Sequence, residues 1–197
     1  FIRTLLLVGS FTWMTRLGSL QGTVILAANW ILFQILHIAS YELDGFAIAV
    51  ESLVGKAVGA RDRAFLRRAV IVSTVGAFAV AAVFAALLVL AEGPLVALFT
   101  NVPEVREATS RHFFWAAFFP VIGILAFQMD GIFVGATEGP AMRNGMIVSA
   151  AVYVPLSMWT LEAYGNDGVW GAIWVFLLLR GLTLLAQYPA LERRVVA

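Results

Sequence analysis

The sequence predicts an all-α polytopic membrane protein, a single bundle of six transmembrane helices over residues 1–197. Three observations carry this. Of 197 residues, 61% are hydrophobic. Only 13% are charged, about half the ~25% of a soluble domain, so the natural solvent for this much apolar surface is lipid. The apolar residues also fall into six stretches, each reaching the ~20 residues that a bilayer crossing needs.

The stretches lie near 4–21, 24–58, 65–91, 112–137, 142–163 and 168–188. The second is overlong and must tilt or project beyond the bilayer. The breaks carry turn chemistry: Gly18 to Gly22, Gly59-Ala60-Arg61-Asp62, Asn101-Val102-Pro103, Glu138-Gly139-Pro140 and Gly165-Asn166-Asp167-Gly168. Pro94 and Pro120 should kink or end their helices. No break is long or polar enough to divide domains. The first residue is Phe1, and the chain is expected to be a piece of a longer protein. No signal peptide is visible, because the first apolar run carries Arg16 and lacks a small-residue cleavage site.

Numbering the breaks alternately places Arg3, Lys56, Arg61, Arg63, Arg67, Arg68, Arg143, Arg193 and Arg194 on one side. Arg16, Arg106 and Arg111 fall on the other. Nine against three puts both termini in the cytoplasm. A net charge of +1 gives no field for nucleic acid. The absence of cysteine excludes thiolate metal sites, a cysteine nucleophile and disulfides.

The second helix holds the candidate functional residues. Gln34, His37, Tyr41, Asp44 and Glu51 are spaced so that a helix keeps them on one face, with Ile48 the apolar interruption. Trp30 continues that face as an interfacial anchor, whereas Asn29 falls off it by about 140°. A polar stripe of this length faces protein or a wet cavity. Hydrogen-bonded glue between helices is one reading; a histidine with two carboxylates favours a solvated pathway or proton relay. Glu42, about 100° from Tyr41, has a structural and a functional reading of equal weight.

The fourth helix carries Gln128 and Asp130, and the sixth carries Arg180. If the spans end near Gly59, Thr137 and Gln187, then Glu51, Asp130 and Arg180 lie roughly 10–12 Å inside the same boundary. They are expected to form a mutually neutralising buried charge cluster. Asp44 is expected roughly 22 Å inside, away from Arg180, as the carboxyl free to load and unload protons. Gly55/Gly59 and Gly131/Gly135 read as close-packing pairs. Phe113, Phe114, Trp115, Phe118 and Phe119 read mainly as an interfacial belt. Gly55-Lys56 is not a phosphate loop, since Ala57 stands where Ser or Thr is required. No Gly-x-Ser-x-Gly or His-Glu-x-x-His motif occurs, and His37 and His112 are the only two histidines. A membrane-embedded enzyme is therefore disfavoured, and no cofactor or metal site is expected.

The run Tyr41-Glu-Leu-Asp-Gly-Phe-Ala-Ile-Ala-Val-Glu-Ser-Leu-Val-Gly-Lys-Ala-Val-Gly-Ala-Arg-Asp62 resembles the eighth helix and following loop of multidrug and toxic compound extrusion (MATE) transporters, DinF-like (DNA-damage-inducible protein F) subfamily. Met129-Asp-Gly-Ile-Phe-Val-Gly-Ala-Thr-Glu-Gly-Pro-Ala-Met-Arg-Asn144 is similar to the end of the family's tenth helix and its loop. Leu179-Arg-Gly-Leu-Thr-Leu184 is similar to its last helix. The resemblance implies the carboxy-terminal lobe of a twelve-helix antiporter in a bacterial inner membrane, partnered by an amino-terminal six-helix lobe. It implies export of small cationic or amphipathic substrates, coupled to H⁺ or Na⁺. The subfamily's best-known coupling aspartate would lie in the other lobe. A lipid-linked saccharide flippase of the same superfamily is the alternative. It calls for several cations in the cavity to hold pyrophosphate, and only Arg180 lies deep in a span.

Overall fold

A computed structural model describes residues 1–195. In chain order the helices are α1 (Ile2–Ser19), α2 (Thr23–Gly59), α3 (Arg63–Leu90), α4 (Glu92–Phe99), α5 (Pro103–Ala117), α6 (Phe119–Gly135), α7 (Gly139–Leu185) and α8 (Tyr188–Arg194). No strand occurs among the described residues. In lipid this is the expected solution, because a helix satisfies every backbone polar group within its own segment.

Four helical stretches are long and apolar enough to cross a membrane: Thr23–Gly59, Arg63–Leu90, Pro103–Gly135 and Gly139–Arg194. The last supplies two crossings. Gly165 adopts φ 60°, ψ −134°, a backbone that only glycine takes readily, and the chain reverses there. Arms 139–164 and 166–185 then run antiparallel, with Tyr153 against Phe176 at 5.4 Å between ring centroids and Gly145 against Thr183. The Thr160 hydroxyl donates to the Gly168 carbonyl at 2.9 Å and closes the turn. The expected fifth and sixth spans are thus the two arms of α7.

The expected first span, 4–21, is α1, but α1 is not among the stretches of sufficient hydropathy. Arg3, Arg16 and several hydroxyls dilute its leucines. The expected fourth span, 112–137, begins earlier, at Pro103, and breaks at Phe118 into α5 and α6. Pro120 sits in the first turn of α6, where a missing N–H costs nothing. The short helix α4 was not expected. Pro94 lies in its opening turns and cannot extend α3.

Chain entries follow local chemistry. Asp62 caps α3, its carboxylate accepting from the Phe65 N–H at 2.9 Å. Gly22, at φ 101°, turns α1 into α2. The long helix α2 is the hub, packed against α1, α3, α5 and α6. Its contact with α6 is intimate. A Cβ on Gly131 would strike the Ala47 carbonyl oxygen, and one on Gly135 the Glu51 carbonyl oxygen. The pair Gly131/Gly135 therefore packs closely, as expected. Of the other pair only Gly55 does so, against the Gly135 carbonyl; Gly59, at the end of α2, faces open space.

The aromatic group departs from a pure belt. Phe113 and Phe119 are in the core, 2% and 1% exposed, while Phe114 is 54% exposed. Trp115 packs on Trp174 with centroids 4.7 Å apart, and its indole N–H donates to Asp167 at 2.7 Å. At the same end Asn29 and Asn166 exchange amide hydrogen bonds of 2.8 and 2.9 Å. Trp170 donates to Asn29 at 2.9 Å. Asn29 thus lies off the stripe because it is a helix-joining residue.

Candidate functional site

The contacts of Gly131 and Gly135 fix the register of two parallel helices. Glu51 on α2 is level with Gly135 on α6. Asp130 is then level with residues 46–47, only about 3 Å along the axis from Asp44. The expected depths need correction. They assumed that both helices end together, whereas α2 runs eight residues past Glu51 to Gly59 and α6 stops at Gly135.

Between α1, α2, α6 and the second arm of α7 lies a cavity of about 330 Å³. Its apolar walls include Leu7, Phe11, Phe119, Phe127 and Leu177. Its polar groups are Arg3, His37, Ser40, Asp44, Glu51, Asp130 and Arg180. The size and the few convergent polar groups suit a small-molecule site.

At its inner wall Arg180 Nη2 donates to Asp130 Oδ2. Both residues are buried, 5% and 7% exposed. The Arg180 guanidinium also lies over the Phe127 ring, 5.6 Å from its centroid. Arg3 Nη2 donates to the same Asp130 oxygen at 2.7 Å. The expected cluster of Glu51, Asp130 and Arg180 is thus corrected in one member. Glu51 lines the cavity without an ion pair among the described residues, and Arg3 takes its place. Arg3, expected among the cytoplasmic loop charges, lies instead beside Asp130. The sequence signal for Arg3 was its position in the first turn of an apolar run.

The stripe divides. His37, Asp44 and Glu51 reach the cavity, and Gln34 and Tyr41 do not. Around the α2 axis the cavity-lining residues span from about 100° on one side of His37 to about 20° on the other. Tyr41 and Gln34 sit at about 40° and 60° on that second side, past the rim. Tyr41 is 75% exposed. Asp44 makes no hydrogen bond or ion pair among the described residues, yet shares the cavity with both arginines. The expectation that it lies out of Arg180's reach is corrected accordingly. Glu42 faces away from the cavity, with both carboxylate oxygens buried and lacking a hydrogen-bond partner among the described residues.

A second ionic cluster ties α8 to α3. Arg67 donates to Glu192, and Arg63 Nε lies 3.1 Å from the same carboxylate. The Arg67 guanidinium, with Arg63 beside it, holds the Glu192 carboxyl below the usual carboxylate range.

A bundle of helices long and apolar enough to cross a bilayer, with a cavity among them that gathers charged side chains, defines a polytopic membrane protein. Residues 1–159 match the MatE family model, and the chain belongs to that family. It is 39% identical over 185 residues to the DNA damage-inducible protein F of Escherichia coli, an alignment covering 94% of this chain and 40% of that protein. It is 27% identical to Protein DETOXIFICATION 44, chloroplastic, of Arabidopsis thaliana, over 90% of this chain and 34% of that one. The fold matches the crystal structure of the eukaryotic MATE transporter AtDTX14 with a TM-score of 0.76 at 16% identity, over 95% of this chain and 44% of that one. The chain thus spans less than half the length of these relatives.

Proposed function

We propose that this chain is the carboxy-terminal lobe of a secondary antiporter that exports small cationic or amphipathic compounds in exchange for H⁺ or Na⁺, rather than an enzyme. In this reading it sits in a bacterial inner membrane with both termini cytoplasmic. An amino-terminal six-helix lobe covers the exposed face of α2. The observation that carries the reading is the cavity. Asp130 is already neutralised by Arg3 and Arg180, while Asp44 and Glu51 line the same space unpaired. Two uncommitted carboxylates with a histidine and aromatic walls suit an organic cation, and a proton competing for the same carboxylate couples the two.

Within the lobe, Asp44 is our coupling residue. His37 stands about two turns away on its face, and Tyr41 and Gln34 extend the polar face toward the other lobe. Arg3 gives the cavity a second arginine, a feature that the flippase alternative calls for. Both arginines are spent on one aspartate, however, which leaves little for a pyrophosphate. The test uses the full-length transporter in proteoliposomes with an imposed pH gradient. Asp44→Asn should insert normally and lose most proton-driven efflux of a cationic dye. Normal transport by Asp44→Asn would remove Asp44 from the coupling step.

A further inference from the structure

One face of α3 carries a groove that plays no part in the cavity. Arg63, Ala64, Arg67, Arg68, Ile71 and Val72 line it. Its arginines are poorly neutralised. Among the described residues, Glu192 is the one carboxylate that pairs with Arg63 and Arg67, and they share it. Arg68 is exposed and has no ion-pair partner among the described residues. This end of the bundle, comprising the α2–α3 and α6–α7 turns and α8, holds eight Lys/Arg against three Asp/Glu. The groove therefore attracts an anion.

The floor of the groove specifies the anion further. Ile71 and Val72 are 61% and 65% exposed, and Val75, nearly in line with Arg68, is 64% exposed. Val72 and Val75 lie about 6 and 10 Å further into the span than Arg68. A basic rim at the membrane surface running into an exposed aliphatic strip matches a phosphate head with acyl chains below it. A free anion uses the rim and gains nothing from the strip.

We propose that this groove binds an anionic diacyl phospholipid, its phosphate on Arg68, Arg67 and Arg63 and an acyl chain on Ile71, Val72 and Val75. The assignment goes beyond the transport reading and does not depend on which ion is coupled.

The experiment uses the full-length transporter, delipidated in detergent and followed by native mass spectrometry and thermal melting. The probes are phosphatidylglycerol, phosphatidylcholine and inorganic phosphate. Phosphatidylglycerol should be retained and should raise Tm, while the other two do neither. Arg68→Gln should weaken phosphatidylglycerol retention about fivefold, the loss of one cation's attraction to an anionic lipid. Arg68→Lys should restore it, and Arg111→Gln at the opposite end should leave it unchanged. Equal retention of phosphatidylglycerol and phosphatidylcholine by the parent protein overturns the proposal, whatever the variants do. So does equal protection by inorganic phosphate, which would make the groove an anion site without lipid, or undiminished retention in Arg68→Gln.

Discussion

Asp130 shows how one buried charge organises its surroundings. Its carboxylate faces Arg180 from one side and Arg3 from another. The two arginines are not equivalent, since the Arg180 side chain is 6% exposed and that of Arg3 is 33% exposed. Water can replace Arg3 but has little access to Arg180. Arg180→Ala should therefore destabilise the full-length protein, but by less than the ~3–5 kcal/mol of a fully stranded buried charge, because Arg3 still faces Asp130. Arg3→Ala should cost clearly less. Arg180→Ala with Asp130→Asn should recover part of the loss, because no anion then lacks its partner. Thermal melts of the detergent-purified protein decide this; a double variant no better than Arg180→Ala would show that packing, not charge, holds the site. The Asp130–Arg180 pair was legible in the sequence, because two opposite charges inside apolar spans must meet or unfold the bundle. The part played by Arg3 was not, because a charge near the first residue looks the same whether it borders water or a cavity. Nor was that of Asn29, whose partners Asn166 and Trp170 lie far along the chain.

At the scale of the element, periodicity located the helices well and their mutual register poorly. Span α2 was expected at 24–58 and runs from Thr23 to Gly59, since apolar length alone sets it. Where α2 stands relative to α6 depends on which backbones touch, and that is decided by Gly131 and Gly135. This contact corrected the depth of Asp130, and with it the supposed isolation of Asp44. The same contact is testable. Gly131→Val inserts carbon where the Ala47 carbonyl already sits, and no flexible side-chain end is there to yield. Overpacking of this kind costs roughly 1–3 kcal/mol, and more where backbone must move. Gly131→Val should lower the Tm of the full-length protein and also its efflux, because α2 and α6 carry Asp44 and Asp130. Gly59→Ala, with nothing within 4 Å of the added carbon, should leave both unchanged. Equal effects of the two would mean that α2 and α6 are not in close backbone contact. The stripe teaches a related limit. Five residues within about 100° of arc look like one face, yet the cavity takes three of them.

For the molecule as a whole, the governing quantity is the difference between its two ends. The end with the α2–α3 turn and α8 holds eight Lys/Arg against three Asp/Glu. The end with the Gly165 turn and the α3–α5 segment holds three Lys/Arg, among them Arg16, against Glu92, Glu104, Glu107, Glu162 and Asp167. Moving Arg3 from the loops into the cavity leaves this asymmetry standing, and on our proposal the basic end is the cytoplasmic one. Along α2, Glu51 is nearer the basic end than Asp44. The orientation has a direct test, made simple by a chain without cysteine. In a cysteine-free background of the full-length transporter, Ala163→Cys lies beside the Gly165 turn at an exposed position, and Arg61→Cys lies in the exposed α2–α3 turn. A membrane-impermeant maleimide added to intact cells should label position 163 and spare position 61 until the membrane is permeabilised. The reverse pattern would invert the topology.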